Sequence, residues 1–132
     1  MWQIWKTNLL KSSILEAWIL TALRSYSGPW LIVACDLPLL SHSSFEWLLS
    51  QRKHNISIIM PKDSNDMVQP HFSFFESGAL QLVQKEVEKG TRAPKDLATS
   101  PFFSSPSLPQ LVEKELKNVN SPSDFKSIEG AY

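Results

Sequence analysis

The run Trp30-Leu31-Ile32-Val33-Ala34-Cys35 limits what this chain can fold into more than any other stretch of it. It is short, continuous and rich in β-branched side chains, with no polar residue at alternate positions. A strand with one wet face needs such alternation, so this one is predicted to be covered on both sides, as in a parallel sheet. Upstream, Leu10, Ile14, Leu15, Trp18, Ile19, Ala22 and Leu23 recur at three and four between Leu9 and Arg24, the spacing of one buried helix face. Ser27-Gly28-Pro29 stops that helix, and Asp36 closes the apolar run.

Beyond Asp36, the segment Ser43-Ser44-Phe45-Glu46 has the spacing of a capping box, with Glu46 returning a bond to the Ser43 backbone and a helix running to about Arg52. Ile56 to Met60 reads as a second buried strand ended by Pro61, Lys62 to Met67 as a polar loop, and His71 to Phe75 as a third strand. Leu80, Val83 and Val87 mark a helix with Gly90 as its C′ residue. Thr91 to Pro109 holds four of the nine prolines and is predicted to be loop, apart from a short helix around Lys95 to Ala98. Leu111 to Val119 is read as a strand near the end of the sheet, although its charges also permit a helix. Ser121-Pro122-Ser123-Asp124 supplies an N-cap, a proline at N1 and an acid at N3 for a last helix carrying Phe125 and Ile128 inward. Strands and helices alternate, which indicates α/β architecture with a mainly parallel sheet.

With 132 residues, 42% of them apolar, the chain is expected to form one domain with a modest core. Thirteen basic residues balance thirteen acidic ones, so no overall field draws it to nucleic acid or to an anionic membrane. Lys6, Lys11 and Glu16 break the N-terminal apolar stretch well short of the roughly 20 residues a membrane span requires. That stretch also lacks the small-residue cleavage site of a secretory signal. The one cysteine, Cys35, has no partner for an intramolecular disulfide, which points to a cytoplasmic protein, where the sequon Asn55-Ile56-Ser57 carries no chemistry. His42, His54 and His71 have no carboxylate or cysteine at ligand spacing, so neither a zinc site nor a nucleophile triad is expected from them. Trp18, Trp30 and Trp47 fall on apolar faces and are assigned to the core.

Ligands of open α/β sheets bind beyond the carboxyl ends of the strands, and an acid directly after a buried strand can coordinate a hard cation there. Asp36 fits that description, and equally that of a turn former. Gln69-Pro70 either sets an amide in the cleft or fixes the entry to an edge strand. Arg92 either meets a phosphate or is a solvated loop residue. Asn118 and Asn120 either line a cleft with groups that both donate and accept, or stabilise a helix entry through Asx bonds.

The string Leu31-Ile32-Val33-Ala34-Cys35-Asp36-Leu37-Pro38-Leu39-Leu40, preceded by Ile19-Leu20-Thr21-Ala22-Leu23-Arg24, resembles the central block of the molybdenum cofactor guanylyltransferase family. Gln69-Pro70, Gly90-Thr91-Arg92 and Asn118-Val119-Asn120-Ser121-Pro122-Ser123-Asp124 follow in that family's order, the last resembling its Asn-x-Asn-Thr-Pro-Glu-Asp element. The resemblance runs from about Ile19 to Ile128. It implies a three-layer Rossmann-like nucleotidyltransferase fold, mainly parallel and truncated at the N-terminus, with residues 1–13 atypical and 14–132 a single partial domain. The implied reaction transfers GMP from GTP to molybdopterin, with magnesium bridging phosphate oxygens. By resemblance Asp36 is the catalytic and metal-binding residue, and Gln69, Arg92, Asn118 and Asn120 join it in binding nucleotide and pterin. GTP and molybdopterin are the implied substrates, and molybdoenzymes or other cofactor-biosynthesis proteins the implied partners.

The chain departs from the family in two respects: it reads Ser13-Ile14-Leu15-Glu16-Ala17-Trp18 where members place an aspartate and Gly-Pro-x-x-Gly ahead of the helix corresponding to Ile19 to Arg24, and it lacks their opening loop. Family members open with a strand and a loop of the form Leu-Ala-Gly-Gly-x-Ser-x-Arg-Met-Gly followed by lysine, whose amides wrap phosphates. Gly28, Gly78, Gly90 and Gly130 lie too far apart to match it. Residues Met1 to Ser13 either replace that strand or reflect where translation was taken to start. Three alternatives therefore stand beside the leading reading: a related transferase using CTP or a sugar, a catalytically silent molybdopterin-binding module, and a gene fragment.

Overall fold

A computed structural model describes residues 3–7, 19–26, 28–34, 37–91 and 93–116. Five strands form one sheet: β1 (Gln3–Thr7), β2 (Trp30–Ala34), β3 (Ile58–Ile59), β4 (Phe72–Phe75) and β5 (Phe103–Ser104), in the spatial order β1-β2-β4-β3-β5. β1 lies parallel to β2, β3 lies parallel to β5, and β4 runs antiparallel to both of its neighbours. Four strands thus point one way and β4 alone opposes them, the mainly parallel sheet of an α/β fold.

The helices are α1 (Leu20–Ser25), α2 (His42–Ser50), α3 (Ala79–Glu88) and α4 (Gln110–Glu115), with a 3-10 segment at Pro94–Thr99. They cover both faces. Trp30 and Ile32 of β2 pack with Phe75, Met60, Leu20 and Leu23 of α1, Ala79 and Val83 of α3, and Leu97. Leu31 and Val33 point the other way, into a cluster with Phe72, Phe74, Leu48 of α2 and Val112 of α4. All five β2 residues are buried, because alternate side chains of a strand meet opposite helix layers. The continuous apolar run is the sequence trace of this double coverage. Ser73, on β4, is also fully buried, and its hydroxyl donates to the Pro70 carbonyl at 2.9 Å.

Several expectations change. The helix read over Leu9 to Arg24 is present as Leu20–Ser25, with 8–18 outside the described residues. The strand read over Ile56 to Met60 narrows to Ile58–Ile59, although the Met60 N–H still donates to the Ser104 carbonyl at 3.0 Å. Phe103–Ser104, inside the stretch read as loop, is the strand β5. Residues 110–115 form a helix and not a strand, since Leu108, Val112 and Leu116 recur every four positions and turn one face into the core. The last helix, from Ser121, lies outside the described residues. β4 lies between β2 and β3, so the proline before it does not lead into an edge strand.

At the start of α2 the capping box does not form. Ser41 is the N-cap, and Glu46 turns to His42 one helical turn earlier, with Nδ1 to Oε1 at 3.1 Å. His42 therefore does have a carboxylate at i+4, contrary to the spacing argument. Gly90, by contrast, takes the left-handed conformation expected of a C′ residue (φ 93°). Its N–H donates to Val87 at 2.9 Å and that of Thr91 to Glu86 at 3.0 Å, the paired bonds of a Schellman motif. Arg52, just past α2, grips Glu76 with Nε to Oε2 at 2.7 Å and Nη2 to Oε1 at 2.9 Å, while its guanidinium lies 4.9 Å from the Phe74 ring centre. The Glu76 bond raises the Arg52 pKa further.

Candidate functional site

Because β1, β2, β3 and β5 run the same way, their carboxyl ends share one edge of the sheet, and β4 begins there. The chain leaves β2 at Ala34, whose N–H donates to the His71 carbonyl at 3.0 Å. It leaves β3 through Met60 and Pro61 into the turn 62–69, and β5 through Ser105 to Leu108. These exits are stitched together: the Ser105 hydroxyl donates to the Met60 carbonyl at 2.7 Å, the Lys62 N–H to Pro106 at 3.0 Å and the Leu108 N–H to Lys62 at 2.9 Å.

Asp63 organises the turn. Its Oδ1 accepts from the N–H groups of Asn65 and Met67, both at 2.9 Å, and its own N–H donates to the Met67 carbonyl at 3.0 Å. Asp66 takes a left-handed conformation (φ 60°), which a short polar side chain tolerates. Gln69 closes the arrangement. Its Nε2 donates to Asp63 Oδ2 at 3.1 Å and to the Met67 carbonyl at 2.9 Å, and its backbone N–H to Pro61 at 2.8 Å. The amide nitrogen of Gln69 is thus committed inside the turn.

A cleft of about 600 Å³ opens between this turn and α4, lined by Asp63, Ser64, Asp66, Gln110, Glu113 and Lys114, with Ser107 and Leu108 beside them. Glu113 accepts from the Ser64 N–H at 3.1 Å and from its hydroxyl at 2.8 Å, holding the turn to the helix. Carboxylates outnumber cations on these walls. Such a surface suits a ligand rich in N–H groups better than a bare polyphosphate, whose charge calls for cations or a metal.

On the far side of α4, Glu115 reaches the start of α2. Its Oε1 accepts from the Ser41 N–H and hydroxyl, each at 2.8 Å, and from the Ser44 hydroxyl, while Oε2 accepts from the Ser41 hydroxyl at 3.0 Å. Burial works against the charge on this carboxyl, but the Ser44 and Ser41 bonds outweigh it and hold its pKa below the usual glutamate value.

Of the residues singled out in the sequence, Gln69 is described and stands in the turn beside the cleft. Asp36, Arg92, Asn118 and Asn120 lie outside the described residues. Asp36 follows the end of β2 by two positions in the chain. Among the described residues no group of three His, Cys, Asp or Glu side chains could hold a metal ion. Sequence reading missed Asp63, Glu113, Glu115 and their serine partners. The four-residue repeat of Leu108, Val112 and Leu116 was the available signal, because it makes a helix of the segment and sets both of its glutamates free to face loops.

Residues 14–99 match the family model described as the MobA-like NTP transferase domain. A probable molybdenum cofactor guanylyltransferase from Thermococcus sibiricus is 27% identical over 117 residues, 86% of this chain and 60% of that protein. A molybdenum cofactor biosynthesis bifunctional protein from Synechocystis is 30% identical over 116 residues, 83% of this chain and 32% of that protein. The chain therefore spans about three fifths of the first relative and one third of the second. Two crystal structures share the fold. Molybdopterin-guanine dinucleotide biosynthesis protein A from Archaeoglobus fulgidus superposes with a TM-score of 0.65 at 21% identity, over 86% of this chain and 60% of that one. A protein from Aquifex aeolicus gives 0.64 at 17% identity, over 78% of this chain and 54% of that one.

Proposed function

The chain belongs to the MobA-like NTP transferase domain family, and on that premise we propose that its carboxyl edge serves the transfer of GMP from GTP to molybdopterin. In that reaction a phosphate oxygen of the pterin attacks the α-phosphorus of GTP, a new P–O bond forms, and the bond to pyrophosphate breaks as pyrophosphate leaves. The observation that supports the reading is that β2 ends at Ala34 on the sheet edge at which α/β folds bind ligands, and Asp36 comes two positions later in the chain.

Asp36 is the residue assigned to hold a magnesium ion. One carboxylate with phosphate oxygens and water is the usual ligand set of that ion, and when bound it neutralises phosphate charge. Arg92 is assigned to a phosphate, and Asn118 and Asn120 to the pterin. Gln69 contributes by shaping the turn, since its amide nitrogen already bonds Asp63 and Met67. The acceptor-rich cleft beside it supports a pterin there, whose ring offers N–H donors. No helix among the described residues is long and apolar enough to cross a membrane. We assign the activity to the cytoplasm, with the product passing to molybdoenzymes or other cofactor-biosynthesis proteins.

Calorimetric titration with GTP and magnesium tests the reading. Saturable binding that Asp36→Asn removes is the expected result, followed by transfer of labelled GMP to molybdopterin. Tighter binding of CTP than GTP would instead support the related cytidylyl transferase. Tight molybdopterin binding with no nucleotide affinity would support a silent binding module, and failure to bind either ligand would leave the gene fragment.

A further inference from the structure

An N-cap serine ordinarily turns its hydroxyl toward its own helix, and an acid three residues further on returns a bond to the N-cap N–H. At Ser41 the hydroxyl meets that of Ser43 at 3.0 Å but no backbone N–H of the helix, and no acid from α2 returns the bond. The acid at the Ser41 N–H is Glu115, 74 positions further along the chain. The hydroxyl of Ser44, 1% exposed, adds a third donor to the same carboxylate. The positive end of the α2 dipole favours an anion there.

The origin of the acid matters for residues 37–40, the described link that leads into α2. A local capping box fixes a helix to itself and leaves the direction of the preceding loop open. An acid from α4 fixes the helix start relative to the sheet edge, since α4 is anchored by Val112 in the core and by Glu113 on the turn 62–69. The other end of the link is anchored to the same region, because Leu37, 7% exposed, packs in one cluster with Leu108 and Val112.

We infer that Glu115 is a positioning residue: by seating Ser41 and Ser44 it fixes residues 37–44, the stretch that follows the metal aspartate Asp36 directly in the chain. This rests on the reading of Asp36 proposed above. Glu115 touches neither substrate nor metal. Its effect is that of an outer-shell partner, whose loss lowers metal affinity without removing a ligand.

Two readouts on the full chain test this, with Glu115→Ala, Glu115→Gln and Ser44→Ala compared with wild type. The first is amide hydrogen exchange across residues 37–44, measured without metal at a temperature where circular dichroism shows each variant folded. The second is manganese affinity in the presence of GTP, followed by paramagnetic resonance. Glu115→Ala is expected to speed exchange in the link and to weaken manganese binding on the order of 10-fold, with Glu115→Gln restoring much of both and metal-free GTP affinity unchanged. Should Glu115→Ala fail to fold, Ser44→Ala removes a single donor and gives the same pattern on a smaller scale. Unaltered exchange, or a loosened link with unaltered manganese affinity, overturns the inference. A wild-type chain with a protected link but no manganese affinity overturns the reading of Asp36 and this role with it, and the metal-free exchange tells that failure from the others.

Discussion

Asp63 is the residue on which the turn beside the cleft depends. Asp63→Ala leaves the N–H groups of Asn65 and Met67 without the side-chain acceptor and takes from the Gln69 amide one of its two. The turn is partly wet, so the expected loss is about 1–2 kcal/mol in urea-induced unfolding. Gln69→Ala, which removes one donor with two acceptors, is expected to cost less. Glu115 brings a pH dependence whose sign follows from its depressed pKa. The native state holds this carboxylate charged at a pH where the unfolded chain has bound a proton, so its contribution is present above the ordinary glutamate pKa of about 4.3 and is lost as pH falls through the lower native value. Ser44→Ala is expected to raise the native pKa of Glu115 and to shift acid unfolding to higher pH, read by tryptophan fluorescence. Residues of this kind were hard to find in the sequence. Asp36 is marked by the apolar run it abuts and Asp63 only by a polar loop, whereas Glu115 acts through Ser41 and Ser44, which the folded chain alone brings near. The i+4 pair of His42 and Glu46 was legible and was overlooked in favour of a capping box that fitted the same letters.

Among the elements, legibility follows the strength of the local pattern. β2 could be read because every one of its side chains is buried, and the end of α3 because Gly90 adopts a conformation other residues resist. Among the described residues, chain neighbours aside, nothing lies within 4 Å of where a Cβ on Gly90 would stand, so Gly90→Ala tests backbone strain and is expected to lower stability by about 1–2 kcal/mol in thermal unfolding. Gly28 poses the opposite case, for an added Cβ would fall 2.1 Å from the Tyr26 ring. That ring stands edge-on to Trp30 at 6.0 Å, and the Trp30 indole N–H donates to the Tyr26 carbonyl at 2.9 Å. β5 was not legible because it spans two residues, too few for a period to show, whereas β3, equally short, lies in the longer apolar run Ile56 to Met60. The letters of Leu111 to Val119 left strand and helix both open, and the fold decides for α4: Leu111 is 75% exposed while Val112 is 7% exposed, the contrast of a helix with one face inward.

For the molecule as a whole, alternating strands and helices disclosed the α/β class with its mainly parallel sheet, while the order of strands in the sheet stayed hidden. Strand order depends on contacts between distant segments, and nothing in the letters of β4 marks it as central or antiparallel. The segment that least resembles the family, residues 1–13, contributes β1, which pairs along the whole of β2 from Gln3 with Trp30 to Thr7 with Ala34. Removing residues 1–7 is therefore expected to expose the outer edge of a fully apolar strand and to promote association, seen as a concentration-dependent shift in sedimentation. The place of β4 between β2 and β3 also bears on how fast the sheet assembles. β2 and β3 share no hydrogen bond, and each waits for a strand made after both of them. Because β4 bridges β2 and β3, its pairing at Phe72 to Phe75 is expected to limit the rate at which the middle of the sheet forms. Truncating Phe74 should slow refolding in stopped-flow mixing, whereas weakening β1 at the rim should chiefly hasten unfolding.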